Sequence, residues 1–249
     1  MKGFNRMSRF ENKTIIVTGA AGGIGEAYAR GLAAEGATVV VADVNDEAGQ
    51  KVADDIGGLY VHCDVSDPES AQQLADTAAQ TYGVIHGLVN NAAIYGGMKL
   101  DFLITVPWDY YKKFMAVNLD GALNVTRAVY PKMTEGGAIV NQSSTAAWLY
   151  SGFYGLAKAG VNNLTFQLAT ELGGSDIRVN AIAPGPTDTE ATRTTTPKEM
   201  VEDMVKQLPL KRFGKAEDHV GMLMFLLSDE AGWITGQIFN VDGGQVYRA

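Results

Sequence analysis

The stretch Thr18-Gly19-Ala20-Ala21-Gly22-Gly23-Ile24-Gly25 lies between an apolar, β-branched run at residues 14–17 and an alanine-rich segment of helix-forming composition. This order predicts a strand, a tight turn and a helix. Glycine permits the turn and a close approach of the backbone, and the unpaired N–H groups of a helix start attract negative charge. We therefore expect the pyrophosphate of a nucleotide cofactor to bind here, at Gly19, Gly23, Ile24 and Gly25.

The composition is typical of one folded domain. The 249-residue chain is 46% hydrophobic, and no linker or internal repeat divides it, so we expect a single domain over residues 11–249 after an extension at residues 1–10. The formal net charge of −8 disfavours nucleic acid and anionic membranes as partners. No apolar run approaches the length of a bilayer span, and we expect a soluble, cytoplasmic protein.

The single cysteine, Cys63, excludes an internal disulfide and suits a reducing compartment. His62 and Asp64 flank it, which raises the question of a metal site. However, neighbouring residues of a strand point to opposite faces, and no second group of ligands follows in the sequence. We therefore predict no metal.

Apolar, β-branched runs alternate with helical segments along the whole chain. Strands are expected near residues 14–17, 37–42, 58–62, 85–90, 138–141, 177–181 and 237–241. Helices are expected at residues 24–35, 47–56, 68–82, 108–132, 154–172, 197–207 and 216–227. Because these strands lack polar alternation, helices must cover both faces of the sheet. The predicted fold is α/β: a doubly wound parallel sheet of seven strands (Rossmann fold), with the cofactor at its carboxyl edge.

The second predicted strand ends at Asp43, about twenty residues after the glycines, where a carboxylate can accept hydrogen bonds from the hydroxyls of the adenosine ribose. A 2′-phosphate would meet this negative charge. Neither the glycine turn nor Val44-Asn45 contains an arginine or lysine to neutralise it, so the sequence favours NAD over NADP. The alternative is that Asp43 only shapes a turn at the end of the strand.

The pattern Tyr-x-x-x-Lys occurs twice, at Tyr154/Lys158 and at Tyr95/Lys99. In a helix this spacing places both side chains on one face. Two glycines inside the second match make a helix there improbable, whereas Tyr154 and Lys158 begin a predicted helix after the fifth strand. We expect Tyr154 to be a general acid or base and Lys158 to lower its pKa. A charge at about 4 Å is worth roughly 4 kcal/mol, which is about the cost of moving a phenol pKa from ~10 to ~7.

The glycine turn, the acidic strand end and Tyr154/Lys158 together resemble the short-chain dehydrogenase/reductase family, over about residues 12–245. The resemblance implies an oxidoreductase that transfers hydride between NAD and a secondary alcohol or ketone. It implies that Ser144 binds the reacting oxygen, with Ser143 as the competing choice, and that Lys158 also contacts the nicotinamide ribose. It further implies that Asn118 holds, through its backbone, a water that links Lys158 to solvent.

The resemblance also implies further cofactor contacts in the loops after the strands. They are expected at Asp64, Val65, Asn91, Ala92, Pro184, Gly185, Thr187 and Thr189, with the two threonines toward the nicotinamide carboxamide. Ala93 stands where the family has glycine and adds a methyl group near the cofactor. Turn formation is the alternative role of the Asp64 and Asn91 segments.

Two segments are candidates for the substrate pocket. Residues 145–153 form a loop shorter than the resemblance leads us to expect, and its Trp148, Leu149, Tyr150 and Phe153 are expected to line a hydrophobic site or to make core or subunit contacts. The threonine-rich segment and predicted helix within residues 186–212 are expected to form a mobile lid. The alternative for this segment is an ordinary surface loop.

Three functions remain open. The preferred one is an NAD-dependent dehydrogenase of an apolar, alicyclic or steroid-like secondary alcohol, acting on a small molecule as a homotetramer. A reductase of 3-oxoacyl thioesters is the alternative, although Asp43 disfavours the NADPH that such reductases mostly use. The third is a non-catalytic NAD-sensing or scaffold protein, against which the intact Ser/Tyr/Lys/Asn set argues.

Overall fold

The computed structural model describes residues 8–99, 101–149 and 151–248. Most of the predicted extension at residues 1–10 therefore lies outside the described residues. Phe10, one residue before the predicted start of the domain, is buried, and its N–H donates to the carbonyl oxygen of Glu35 at 3.0 Å.

Strands and helices alternate in these residues. The strands are β1 (Thr14–Thr18), β2 (Thr38–Asp43), β3 (Leu59–His62), β4 (Gly87–Asn90), β5 (Gly137–Gln142), β6 (Ile177–Pro184), β7 (Thr187–Asp188), β8 (Gly214–Lys215) and β9 (Ile238–Val241). Seven of them form one parallel sheet in the order β3-β2-β1-β4-β5-β6-β9, which confirms the predicted fold. The separate parallel pair β7 and β8 is absent from the sequence prediction, because a two-residue strand is too short to show a pattern.

The helices cover both faces of this sheet. They are α1 (Gly23–Ala34), α2 (Asp46–Ile56), α3 (Pro68–Tyr82), α4 (Trp108–Met115), α5 (Gly121–Val129), α6 (Gly152–Leu172), α7 (Glu190–Thr195), α8 (Lys198–Gln207) and α9 (Val220–Leu227). The Asn45 and Asp67 side chains cap α2 and α3 by accepting backbone N–H groups. No helix within the described ranges is both long and apolar enough to cross a bilayer.

The prediction of one helix over residues 108–132 is wrong in its interior. A π-helical turn, Ala116–Asp120, separates α4 from α5, and a 3₁₀ turn, Tyr130–Lys132, follows. The helix predicted at residues 216–227 likewise begins as a 3₁₀ turn, Ala216–His219. The short helix α7, in the threonine-rich part of the predicted lid, is absent from the helices that the sequence predicts, because threonine has low helix propensity.

The core lies in two layers, one on each face of the sheet. Along β1, Ile16 packs into the layer that contains α3 and α5, whereas Ile15 and Val17 pack into the layer that contains α1 and α9. This alternation buries every residue of the strand.

The strand order reverses at β1, which pairs with β2 on one side and with β4 on the other. In a doubly wound sheet a crevice opens outside the carboxyl ends of the strands at such a reversal. The turns that follow β1, β2, β4, β5 and β6 all point toward it.

Candidate active site

A cleft of about 1370 Å³ lies at the carboxyl edge of the sheet. Thirteen of the residues predicted from sequence line it: Gly19, Gly23, Ile24, Gly25, Asp43, Asn91, Ser144, Tyr154, Lys158, Pro184, Gly185, Thr187 and Thr189. The fold thus joins segments that lie far apart in the chain in one site.

The turn after β1 needs its glycines. Gly19 has a φ of 64°, and an added Cβ would lie 2.7 Å from the Cα of Ala92. A Cβ on Gly25 would collide with the carbonyl oxygen of Gly19. Gly22, which precedes α1, has no side chain to cap the helix, and no atom lies within 4 Å of its Cβ position. The first N–H groups of α1 therefore have no side-chain cap, which fits a dinucleotide pyrophosphate as their partner.

Asp43, at the end of β2, is half-buried and lines the cleft beside this turn. Its Oδ2 accepts the N–H of Ala21 and its Oδ1 the N–H of Asn45, each at 3.0 Å. Asp43 therefore does shape the turn at the end of the strand, as the alternative interpretation expects. Each carboxylate oxygen keeps a second acceptor site, so Asp43 retains capacity for ribose hydroxyls. Among the described lining residues the basic ones are Lys99 and Lys158, and neither belongs to the turns around Asp43.

Asn91 holds the glycine turn in place. Its side-chain amide donates to the carbonyl oxygens of Thr18 at 2.9 Å and Gly19 at 3.0 Å, and its backbone N–H donates to the Thr18 hydroxyl at 3.0 Å. The loop after β4 is thereby tied to the loop after β1.

The two serines after β5 differ in what their hydroxyls do. Ser143 is buried, and its hydroxyl donates to Oδ1 of Asn162 at 2.5 Å. Ser144 is partly exposed in the cleft, and its Oγ accepts the N–H of Ala146 at 3.1 Å. The Ser144 hydroxyl therefore lies in the cleft next to Tyr154, whereas that of Ser143 is turned to Asn162, which favours Ser144 over Ser143.

Tyr154 and Lys158 lie on successive turns of α6, as the spacing predicts. The Nζ of Lys158 lies 5.9 Å from the centre of the Tyr154 ring and donates to the carbonyl oxygen of Gln142 at 2.8 Å. Burial lowers the pKa of Lys158 to about 8. Burial also raises the pKa of Tyr154, an effect that the Ser144 hydroxyl only partly offsets. The lowered tyrosine pKa expected from the sequence is therefore not a property of the chain alone, because desolvation outweighs the hydrogen bond with Ser144.

Tyr95 is a neighbour of Tyr154 that sequence reasoning missed. The two ring centres are 5.2 Å apart, and Tyr95 lines the cleft. Residues 95–99 form no helix, as predicted. Nothing in the sequence signals this contact, which depends on how the loop after β4 folds against α6.

Asn118 lies in the π-helical turn, a feature often found at functional sites. Its side chain accepts the N–H of Ile94 at 2.7 Å and donates to the Ile94 carbonyl oxygen at 3.1 Å. A cavity of about 10 Å³ borders both Asn118 and Lys158, which is about the space one water needs. The structure therefore places these two residues around one small cavity.

Three predicted cofactor residues lie beside the cleft and do not line it. Asp64 accepts the backbone N–H and the hydroxyl of Ser66, at 2.9 and 2.6 Å, which is the turn-forming alternative. Val65 is buried, and together with Ala92 it borders the small cavity.

His62 and Cys63 differ in their surroundings. His62 pairs with Asp46 at 2.7 Å, and Cys63 is buried. In the part of the chain that the structure describes, no three His, Cys, Asp or Glu side chains are grouped to hold a metal ion.

The far end of the cleft is largely apolar. Its aliphatic and aromatic lining comes from three separate segments: Met98, Phe102, Leu103, Ile104, Leu149, Phe153, Leu156, Met200 and Met204. Phe102 and Ile104 are 81% and 93% exposed, so this wall stands open to solvent.

The shortened loop after β5 contributes less of this wall than the sequence suggests. Leu149 borders the cleft, whereas Trp148 lies under the Arg248 guanidinium at 4.5 Å. Phe153 borders the cleft but is almost fully buried, because it packs against Phe114 with ring centres 4.7 Å apart. Tyr150 lies outside the described residues.

The segment predicted as a lid, residues 186–212, contains β7, α7 and α8 and closes one side of the cleft. Thr189 caps α7 by accepting the N–H of Thr192, and its methyl lies 3.8 Å from the Cβ position of Gly23. The Thr195 hydroxyl donates to the Tyr95 carbonyl oxygen at 2.7 Å and accepts the N–H of Gly97 at 2.9 Å. Helix α7 thus bridges the glycine turn and the loop that carries Tyr95.

Comparison with known proteins agrees with this geometry. A family model described as enoyl-(acyl carrier protein) reductase matches residues 19–245. An uncharacterised oxidoreductase of Mycobacterium tuberculosis is 66% identical over 247 residues, which cover 96% of this chain and all of that protein. The 3-oxoacyl-[acyl-carrier-protein] reductase FabG of Thermotoga maritima is 38% identical over 249 residues, with 96% and 99% covered. The 7alpha-hydroxysteroid dehydrogenase of Escherichia coli is 34% identical over 248 residues, with 96% of each chain covered. A matched family model and relatives of this similarity over nearly the full length show that the chain is an oxidoreductase and belongs to the short-chain dehydrogenase/reductase family, whose members use nicotinamide cofactors.

Proposed function

We propose that this oxidoreductase is an NAD-dependent dehydrogenase of secondary alcohols that also reduces the corresponding ketones. The observation that carries the proposal is the meeting of Ser144, Tyr154 and Lys158 in one cleft, between the open start of α1 and an apolar far end. A hydroxyl group of a substrate held by the apolar end would lie beside two hydroxyl side chains of the protein.

The cleft fits a nicotinamide dinucleotide along its length. The N–H groups at the start of α1 would hold the pyrophosphate, Asp43 the adenosine ribose and Lys158 the nicotinamide ribose. Thr187 and Thr189 would hold the carboxamide. Because no basic side chain of the described lining stands beside Asp43, a 2′-phosphate would face an unneutralised carboxylate, which supports NAD over NADP.

When bound, the oxidised nicotinamide supplies the hydride acceptor and a positive charge beside Tyr154. Ser144 and Tyr154 hold the substrate hydroxyl, and the Tyr154 phenolate oxygen takes its proton as the carbon–hydrogen bond breaks. In ketone reduction Tyr154 donates that proton to the carbonyl oxygen. Because burial alone raises the pKa of Tyr154, the charge of Lys158 is needed to bring the phenol toward its reactive form.

The substrate class follows from the far end of the cleft. The side chains of Phe102, Leu149, Leu156 and Met200 offer apolar contacts and no hydrogen bonds. A compact apolar body with one secondary alcohol, such as an alicyclic or steroid-like molecule, suits this lining. The similarity to 7alpha-hydroxysteroid dehydrogenase is in keeping with it.

A second candidate function is reduction of 3-oxoacyl thioesters. The description of the family model and the similarity to FabG favour it. Against it stands Asp43, which disfavours the NADPH that such reductases mostly use.

The proposal is tested by measuring reduced-nicotinamide formation with NAD⁺ and NADP⁺ in parallel. The substrates are simple secondary alcohols, hydroxysteroids and 3-hydroxyacyl thioesters. We expect turnover with NAD⁺ and an apolar secondary alcohol. Turnover restricted to thioesters with NADP⁺ would establish the second candidate, and tight NAD binding without any turnover would indicate a sensing protein.

A further inference from the structure

A buried histidine outside the proposed catalytic set contacts a threonine of the proposed carboxamide site. His219, at the end of the Ala216–His219 turn, is 1% exposed, and its Nε2 lies 2.9 Å from Oγ1 of Thr187. Thr187 lines the cleft. We propose that His219 is a positioning residue that fixes the Thr187 hydroxyl as a hydrogen-bond acceptor toward the nicotinamide carboxamide. This inference rests on the proposed cofactor site.

The direction of the hydrogen bonds follows from the number of protons. The Thr187 hydroxyl has one proton, and it donates that proton to the carbonyl oxygen of Gly185 at 2.9 Å. The contact with His219 must then use a proton of the histidine. His219 is therefore the donor, through Nε2–H, and Thr187 the acceptor.

The surroundings of the other ring nitrogen, Nδ1, support His219 as the donor. Nδ1 of His219 has no partner among the described residues. The opposite tautomer would bury an N–H without an acceptor and would require the Thr187 proton, which would break the bond to Gly185. The neighbouring carboxylate of Asp218 accepts from Arg212 at 2.6 and 3.0 Å and from the N–H of Lys215 at 2.7 Å, and it makes no hydrogen bond with Nδ1.

Burial keeps the ring in this one form. It lowers the pKa of His219 to about 4, so the imidazole is neutral near pH 7 and carries a single proton. A second proton, on Nδ1, would find no acceptor in its surroundings.

These two hydrogen bonds hold the Thr187 hydroxyl in one orientation. Its proton points to Gly185 and one lone pair to His219, so only the remaining lone pair is free to accept from a ligand. Such a group pairs with the N–H of a carboxamide and not with a carbonyl oxygen. The site should therefore prefer NAD⁺ to 3-acetylpyridine adenine dinucleotide, in which an acetyl group without N–H replaces the carboxamide.

The test measures binding and not turnover. Calorimetry gives the dissociation constants of NAD⁺ and of the acetylpyridine analogue for the wild type, His219→Leu, His219→Gln and Thr187→Val. We expect His219→Leu to weaken NAD⁺ binding about 3- to 10-fold, the worth of one neutral hydrogen bond, and to leave the analogue within about twofold. His219→Gln, which keeps an N–H donor, should restore most of the loss.

A double variant separates positioning from a merely structural role. If His219 acts through Thr187, Thr187→Val with His219→Leu binds NAD⁺ no more weakly than Thr187→Val alone. Thermal unfolding shows which variants are folded, and His219→Met replaces His219→Leu if the latter does not fold.

Two results would overturn this inference alone: equal losses for both ligands, or additive losses in the double variant, while Thr187→Val still weakens NAD⁺ binding. Unchanged NAD⁺ affinity in Thr187→Val would overturn the carboxamide contact together with the inference. A wild type that does not bind NAD⁺ at all would overturn the proposed function itself.

Discussion

Lys158 places a side-chain amine, which can carry a positive charge, in a buried position. Its amine keeps one protein acceptor, the Gln142 carbonyl oxygen, and burial lowers its pKa from the usual 10.5 to about 8. Between these values the unfolded chain binds the proton more tightly than the folded protein does. The free energy of unfolding should therefore rise with pH across this window, because the cost of burying the charge is complete below about pH 8 and disappears as the amine loses its proton.

Replacing Lys158 by methionine should remove this dependence. From about pH 7 to about pH 9.5, we expect the free energy of unfolding of the wild type to gain about 2 kcal/mol relative to Lys158→Met. Urea denaturation at both pH values measures the difference. The measurements stop at about pH 9.5 because buried tyrosines such as Tyr28 have a raised pKa. Above about pH 10 they lower the free energy of unfolding as pH rises. If the free energies of unfolding of the wild type and Lys158→Met changed equally with pH, the buried charge of Lys158 would not destabilise the fold.

We propose that Asp43 sets the preference for NAD over NADP. Asp43→Asn keeps an oxygen to accept one of the two N–H groups and removes the negative charge that repels a 2′-phosphate. We expect the ratio of kcat/KM for NAD over NADP to fall about 10-fold, which corresponds to about 1.4 kcal/mol. Asp64→Asn, at a carboxylate that does not line the cleft, is the matched control. An unchanged ratio in Asp43→Asn would restrict Asp43 to its turn-shaping role.

At the scale of elements, the sheet was predictable because its signal is local. Each strand of the seven-stranded sheet is a short apolar run, and β2 and β6 begin within a residue of their predicted starts. The π-helical turn was not predictable, because it accompanies the hydrogen bonds between Asn118 and Ile94, which are 24 residues apart in the chain. Local composition does not indicate a contact between residues so far apart in the chain.

The residues of the candidate site were likewise predictable only where their signal is local. The glycine turn, Tyr154 and Lys158 were found because each lies in a fixed spacing on one element. Tyr95 and His219 were missed because their importance comes from a neighbour on another element: the Tyr154 ring for one and the Thr187 hydroxyl for the other.

Thr195 couples α7 to the loop that carries Tyr95. Thr195→Val removes the hydroxyl that donates to Tyr95 and accepts from Gly97, and it preserves the shape of the side chain. We expect KM for the alcohol to rise about 3- to 10-fold, with the dissociation constant of NAD within about twofold. Thr194→Val is the control, because the Thr194 hydroxyl donates only within its own helix, to Ala191. Equal effects of the two variants would contradict a coupling role.

Large apolar side chains remain on the surface of the single chain. Trp233 is 100% exposed, and Tyr247 and Phe166 are also exposed. Such surface suits contacts between copies, and we keep the prediction of a homotetramer that the family resemblance implies. Sedimentation velocity should report the mass of four chains at micromolar concentration. A single-chain mass over the whole concentration range would contradict it.

Under the proposed function, Tyr154 transfers the proton. The measurement that tests it most directly is the rate of NADH formation by Tyr154→Phe with the best secondary alcohol, with Tyr95→Phe at the other Tyr-x-x-x-Lys match as the control. We expect Tyr154→Phe to lose at least about 100-fold in kcat, with NAD affinity and unfolding midpoint near those of the wild type, and Tyr95→Phe to lose far less. Near-normal turnover in Tyr154→Phe would show that another group transfers the proton.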